Sequence, residues 1–146
     1  MDEMERTAAV QRRIRRWGED RFGPWCMSDP KERAMRLLEE ALEFAQAIGV
    51  SEEMTQSLAR HVYARPPGEP PQELAGVGVT LLAAAEATGC DAGSLINGEI
   101  SRIESKSREH FAARQQHKAD AGVALPPDTR IHEDEDLQGH EGPCRA

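Results

Sequence analysis

Aromatic residues are scarce in this chain, making up 4% of its 146 residues. Leucine, alanine, valine, isoleucine and methionine must therefore supply most of any hydrophobic core. A composition that is rich in alanine, leucine, glutamate and arginine, but poor in β-branched and aromatic residues, favours helices over sheets. The length suits one domain with a modest core, and the composition predicts that this domain is all-α.

Cysteine is also rare, and the three that occur, Cys26, Cys90 and Cys144, form no CxxC pair. Their odd number and wide spacing argue against a disulfide framework and a zinc knuckle, and they predict reduced thiols. The N-terminus lacks the apolar core of a signal peptide. The longest nearly apolar run, residues 74–85, is too short to span a bilayer. We therefore expect a cytoplasmic protein with no membrane partner.

Several catalytic motifs are missing as well, including the P-loop, GxSxG, HExxH and any recognisable cysteine–histidine nucleophile. The formal net charge is −8, and −5 of it comes from residues 119–146, which hold seven acids and two bases. The remaining −3 belongs to residues 1–118. Because a duplex-DNA binder needs a basic surface, we expect no stable nucleic-acid binding.

The body of the chain, residues 1–118, is predicted to be a bundle of four to five helices. Asp29 is a candidate N-cap, Pro30 suits the first helical position, and Glu32 stands at the capping-box position. Ser51 and Asp91 are further N-cap candidates. The predicted helices are residues 3–16, 30 to about 48, 52 to about 64, about 71 to 89, and a last one from the cap at 91 to about 118.

Two segments need separate interpretation. Residues 119–146 are rich in proline, glycine, aspartate, glutamate and histidine, and we predict a disordered acidic tail. Residues 76–82, GVGVTLL, also fit a short buried strand. A lone strand would have no partner in this chain, so a buried helix is preferred. The two glycines cost such a helix roughly 1–2 kcal/mol of intrinsic propensity, which burial must offset.

Three glutamates lie together on the second predicted helix. At about 100° per residue, Glu39, Glu40 and Glu43 occupy a narrow arc beside a broad apolar half. Like charges at this spacing repel by a few tenths of a kcal/mol per pair, a cost that a bound cation would reverse. Mg²⁺ prefers such hard oxygen ligands together with substrate phosphates. The alternative is an ordinary solvated helix face.

A fourth acid, Glu73, stands near the start of the next apolar helix, just after the proline-rich loop RPPGEPP. At that position a carboxylate can point along the helix interface towards the three glutamates. The alternative is that Glu73 only stabilises the helix N-terminus through the macrodipole.

These two segments, Glu39–Glu40–x–x–Glu43 followed by Glu73 at the head of an apolar helix, resemble the MazG-like all-α nucleoside-triphosphate pyrophosphohydrolases. That family carries EExxE followed by ExxD, and the likeness covers about residues 10–118, in the style of its short stand-alone, phage-type branch. The resemblance implies an all-α NTP pyrophosphatase fold, Mg²⁺, a nucleoside triphosphate as substrate, and a homodimer or higher homo-oligomer.

The resemblance also implies a role for each matching residue. Glu40, Glu43 and Glu73 would be metal ligands, and Glu39 would hold a water on the metal. Of the basic residues on the last predicted helix, Lys106 and Arg108 are the best matches for phosphate binding. Arg102, which is four residues from Lys106, is a third candidate. The alternative for these bases is a solvated face that pairs with Glu104 and Glu109.

The sequence departs from the family pattern at Gly76, where the aspartate of ExxD is expected. This leaves three possibilities: the site holds fewer metal ions, another acid such as Glu86 or Asp91 substitutes, or the protein binds nucleotide without cutting it. The leading hypothesis is thus a pyrophosphohydrolase that converts an NTP or dNTP to monophosphate and pyrophosphate. The alternatives are a catalytically impaired nucleotide-binding or interaction module, and an unrelated helical adaptor.

Overall fold

The computed structural model of the protein describes residues 3–126, which form helices and connecting loops without any strand. The predicted all-α class is therefore confirmed. Residues 76–82 lie inside a helix as predicted, but they are exposed, so the prediction that this helix is buried was wrong. Seven helices lie within the described residues, against the four to five predicted. They are α1 (Glu3–Phe22), α2 (Pro24–Ser28), α3 (Pro30–Ala47), α4 (Glu52–Tyr63), α5 (Pro70–Ala87), α6 (Ala92–Glu104) and α7 (Arg108–Asp120).

The two additional helices have local causes. α1 continues to Phe22, and Pro24 then begins the short α2. The last predicted helix is divided at residues 105–107, where two serine hydroxyls compete with the helical backbone. Ser105 Oγ donates to the carbonyl of Arg102 at 2.6 Å, and Ser107 Oγ accepts from the backbone N–H of His110 at 3.3 Å. A continuous helix through residues 92–118 was therefore a wrong prediction.

The predicted N-caps are confirmed. Asp29 Oδ1 accepts from the backbone N–H of Lys31 at 2.8 Å and of Glu32 at 2.9 Å. Ser51 and Asp91 cap α4 and α6 in the same way. Gly49 and Gly89 follow α3 and α5 with φ of +86° and +67°, a left-handed conformation that favours glycine and ends a helix.

The chain divides into two compact units. The first unit contains described residues 3–37 and 106–126, and the second unit is Leu38–Ser105. The boundary falls inside α3, so this helix supplies residues to both. The predicted junction of body and tail at residues 118 and 119 falls within α7. The predicted tail beyond residue 126 lies outside the described residues.

An aromatic cluster forms the core of the first unit, where α1 packs against α2 and α7. Trp17 and Phe22 of α1 contact Phe111 of α7 edge-to-face, with ring centroids 5.2 and 5.5 Å from that of Phe111. Trp17 and Phe22 also meet each other at 5.5 Å. Edge-to-face pairs of this kind contribute beyond their buried area. Three of the six aromatic residues of the chain thus meet in one cluster.

A buried carboxylate holds the end of the described chain to the first unit. Glu32 is 3% exposed, and its carboxylate accepts from the backbone N–H of Leu125 at 3.0 Å and from Gln115 Nε2 at 3.3 Å. Arg36 Nε lies 3.3 Å from the same carboxylate. The predicted capping-box role of Glu32 is wrong, because the backbone N–H of Asp29 donates instead to the carbonyl of Trp25.

Cys26 and Cys90 are free thiols, whereas Cys144 lies outside the described residues. Cys26 is buried in the first unit, with Arg33 donating to its Sγ at 3.2 Å. Burial raises the pKa of the Cys26 thiol, an effect that the positive charge of Arg33 opposes. The thiol is therefore protonated, and poorly nucleophilic, at neutral pH.

The second unit buries little of its apolar surface. α5 packs against α6, and Ala85 and Ile100 are its buried apolar residues. Its exposed large apolar residues are Leu38, Leu42, Phe44, Ile48, Val50, Met54, Leu58, Val62, Tyr63, Leu74, Val77, Val79, Leu81, Leu82, Leu95 and Ile96. Within the described chain no single helix has the length and apolarity to cross a membrane. α5 and α6 pass that test only as a pair, which is bent by 103°.

Candidate metal and phosphate site

The glutamate trio lies on the part of α3 that belongs to the second unit. Glu40 and Glu43 are exposed and Glu39 is half-buried. Glu39 and Glu40 each lie about one turn from Glu43, at spacings of four and three residues, while the two are themselves adjacent and diverge by about 100° around the helix. The site thus has two exposed carboxylates and a third that is more enclosed.

α6 adds a basic side chain to this region of the second unit. Arg102 is held by Glu99, with Nε 2.7 Å from Oε2. This hydrogen bond and the charge of Glu99 raise the pKa of Arg102, and the negative charge of Glu40 raises it further. The guanidinium of Arg102 therefore lies within electrostatic range of Glu40. One predicted phosphate-binding residue thus experiences the charge of one predicted metal ligand, while its direct partner is Glu99.

Glu99 is the member of this group that the sequence analysis missed. Nε and Nη2 of Arg102 each donate to one carboxylate oxygen of Glu99, and this pairing lowers the pKa of Glu99. The i,i+3 spacing of Glu99 and Arg102 is a recognisable sequence signal for a helical ion pair. That spacing identifies the pair but not its position beside Glu40, which depends on how α6 is placed.

Glu73 lies in the first turn of α5, as predicted. Its carboxylate folds back over the proline-rich loop, since Glu73 Oε1 lies 2.0 Å from the point where a Cβ on Gly68 would stand. Any side chain at Gly68 would displace it. Among the described residues no group of three or more histidine, cysteine, aspartate or glutamate side chains is arranged to hold a metal ion.

The two substitute ligands considered for the missing aspartate have different surroundings. Asp91 caps α6 by accepting from the backbone N–H of Ser94 at 2.7 Å, and hydrogen bonding by Ser94 lowers its pKa. Glu86 is exposed in the last turn of α5. At Gly76 itself, a Cβ would meet no atom within 4 Å. An aspartate at this position would fit without a clash.

Lys106 and Arg108 belong to the first unit. Lys106 lies in the connection between α6 and α7, and Arg108 is the first residue of α7. Arg108 forms an ion pair with Asp20 of α1. The structure therefore assigns this part of the predicted phosphate-binding set to a different unit from the glutamate trio.

Charge also separates the second unit from the rest of the chain. Residues 38–105 hold eleven acids and three bases, a formal net charge of −8, so the remaining residues sum to zero. A surface of this sign attracts cations and repels a free triphosphate. An anionic nucleotide would therefore approach the trio favourably only together with a counter-ion.

No family model, curated protein or solved structure matches the chain. The function must therefore be inferred from the side chains of the second unit and from the resemblance of its carboxylate pattern.

Proposed function

We propose that the protein is a Mg²⁺-dependent nucleoside-triphosphate pyrophosphohydrolase that acts in the cytoplasm as a self-associated chain. The observation that carries this proposal is the glutamate trio on α3 together with Arg102 on α6, whose pKa is raised mainly by Glu99 and to a smaller extent by the charge of Glu40. Recognition of a metal–triphosphate complex requires carboxylates that bind the cation and a nearby base that binds phosphate.

The available carboxylates suit a Mg²⁺ ion that arrives bound to the nucleotide. Glu40 and Glu43 offer hard carboxylate oxygens, and fewer than three acidic side chains converge within the described residues. Mg²⁺ commonly binds through one or two carboxylates, several waters and the phosphates of its substrate. The site therefore suits an ion delivered with the nucleotide, which, when bound, would neutralise phosphate charge.

The reaction proposed is attack of water on the α-phosphorus. A bond forms between the water oxygen and phosphorus, and the bond to the bridging oxygen breaks, which yields a monophosphate and pyrophosphate. Glu39, the most enclosed of the trio, would hold the attacking water. Arg102, the predicted phosphate-binding residue that lies in the same unit as the trio, would contact the triphosphate. Glu73 would join Glu40 and Glu43 only after its carboxylate left Gly68.

A second candidate function is nucleotide binding without turnover. Two observations favour it: Gly76 replaces the aspartate of ExxD, and the Glu73 carboxylate lies against Gly68. A chain with only Glu40 and Glu43 available would bind a metal–nucleotide complex but lack the charges that complete the reaction. Such a protein would act as a nucleotide sensor or as an interaction module.

Product analysis tests the proposal directly. Purified full-length protein is incubated with a panel of NTPs and dNTPs, with Mg²⁺ or with chelator, and the products are separated chromatographically. We expect monophosphate and pyrophosphate only with Mg²⁺. Glu40→Gln should lower turnover on the order of 100-fold or more, because it removes a charge that stabilises the transition state.

Glu53→Gln is the matched control, since Glu53 is an exposed glutamate of the same unit on α4. It should leave turnover unchanged. Nucleotide-dependent thermal stabilisation without products would favour the sensor. Neither turnover nor stabilisation, with Glu40→Gln neutral or slightly stabilising, would favour a helical adaptor whose glutamates are a solvated face.

Gly76→Asp sharpens the choice between enzyme and sensor. Because a Cβ at Gly76 meets no atom within 4 Å, the new carboxylate should not disturb the fold. It would stand one turn after Glu73 and complete ExxD. We expect tighter Mg²⁺ binding and faster turnover than in the natural chain. A Gly76→Asn variant separates the effect of the charge from that of the added side chain.

A further inference from the structure

We propose that a second copy of this chain covers one face of α5, formed by Ala75, Gly78, Val79 and Leu82. This inference rests on the self-association included in the proposed function, but not on the chemistry proposed there. The four residues are spaced i, i+3, i+4 and i+7, so they share one side of the helix over two turns. All four are exposed.

The apolar surface left open on the second unit is too large for a chain that remains alone. Sixteen large apolar side chains of Leu38–Ser105 are exposed. Full burial of such a side chain removes roughly 60–120 Å² of apolar surface from water, so sixteen half-exposed ones leave on the order of 800 Å². Each partner in a stable interface contributes about the same area. The α5 face is one part of that surface, which extends over α3, α4, α5 and α6.

α5 is the element best suited to lie at the centre of this interface. Residues 74–85, LAGVGVTLLAAA, carry no charge over three turns, although the second unit as a whole is strongly acidic. Val79 and Leu82 are 68% and 61% exposed. A helix that is apolar on all sides is normally buried. Here α6 packs against α5, and the buried residue of α5 is Ala85, which follows Leu82 on the same side.

Gly78 supplies an independent reason for a close neighbour. Glycine is a poor helix former, and a Cβ at this position would meet no atom within 4 Å. Nothing in the described chain therefore requires a glycine here. A second helix could use the space at Gly78 to pack closely against the backbone, although Gly76, outside this face, leaves the same space.

The chain itself offers no better occupant. Residues 127–146, PDTRIHEDEDLQGHEGPCRA, contain only Ile131 and Leu137 as large aliphatic residues, and six acids. They have too few apolar side chains to cover the face, and their acids would be repelled by the acidic second unit. A second copy presents the same apolar face, which a two-fold axis makes self-complementary. A two-fold axis near Val79 would not cover Glu73 and Gly76, which lie outside this face, so both would stay available for the proposed metal site.

Sedimentation equilibrium of the full chain and of Val79→Arg tests the proposal. The natural chain should be a dimer at micromolar concentration, and Val79→Arg should weaken dimerisation at least 100-fold. Arginine is chosen because it reduces the acidic repulsion between copies, so lost association must come from the apolar contact. A natural chain that is monomeric at every concentration would overturn the proposal. Monomers that bind phosphatidylcholine vesicles would overturn it in favour of a lipid surface.

Disulfide trapping gives a second measurement if Val79→Arg fails to fold. In a Cys90→Ser, Cys144→Ser background, Val79→Cys should form covalent dimers rapidly on mild oxidation, since a residue near a two-fold axis meets its own copy. Gln116→Cys, exposed on α7 of the first unit, is the matched control and should cross-link at least tenfold more slowly. Equal cross-linking rates would overturn the proposal that the α5 face forms the interface. Turnover assays on the same dimers test the proposed chemistry separately.

Discussion

The two units of this chain solve the problem of burying apolar surface in different ways. The first unit closes on itself: Trp17, Phe22 and Phe111 share one cluster, and Glu32 is buried with its partners. The second unit leaves most of its large apolar residues exposed and carries the −8 charge. A buried aromatic cluster is typical of a part that stabilises itself, whereas open apolar and acidic faces are typical of a part that binds something.

The largest expected difference between the units lies in core truncation. Phe111→Ala should lower the free energy of unfolding by about 3–5 kcal/mol, because it removes a ring that is 9% exposed and contacts Trp17 and Phe22. Leu82→Ala should cost less than about 1 kcal/mol in dilute solution and more at high concentration, where dimerisation contributes. Denaturation at two protein concentrations measures both. A Phe111→Ala cost that varied with concentration would contradict the comparison.

Removing the buried charge of the first unit should have the next largest effect. Glu32→Gln weakens the contacts of its carboxylate with the Leu125 N–H and with Arg36. We expect a loss of about 2–3 kcal/mol, since the group is buried and its partners lose a charged acceptor. Glu19→Gln is the control: it breaks the exposed pair with Arg15 and should change stability by less than about 1 kcal/mol. Equal losses would show that the buried carboxylate has no special role.

The two glycines of α5 provide a matched pair with a smaller effect. In dilute solution Gly76→Ala and Gly78→Ala should each stabilise the helix by up to about 1 kcal/mol, because a Cβ at either position meets no atom within 4 Å. At dimer concentrations only Gly78→Ala should also weaken self-association. Thermal unfolding and sedimentation measure the two effects. Identical behaviour of the two variants would place the interface elsewhere.

The smallest expected effect concerns the ion pair beside Glu40. Arg102 holds the pKa of Glu99 below its ordinary value, which is about 4.3. The stabilisation from this pair is therefore present above that value, and it is lost as pH falls through the folded-state pKa. Because both side chains are half exposed, Arg102→Gln should change the free energy of unfolding only slightly. NMR titration should show the pKa of Glu99 rising; an unchanged pKa would contradict the pairing.

Local patterns predicted much of the secondary structure. Asp29, Ser51 and Asp91 cap the helices that they were expected to cap, because capping depends on residues within one turn. The same kind of reasoning failed at Glu32, whose carboxylate turns to Leu125, 93 residues away. It also failed at residues 105–107, where serine hydroxyls bond to the backbone. Both errors arose where one side chain had two possible partners.

By itself the sequence determined the all-α class, most helix boundaries and the strip of Glu39, Glu40 and Glu43, because all of these follow from the periodicity of one helix. Only the tertiary structure decided that the charge of Glu40 acts on Arg102 and that the apolar faces of the second unit stay open. These features depend on how helices distant in sequence are placed. Local propensity does not encode that placement.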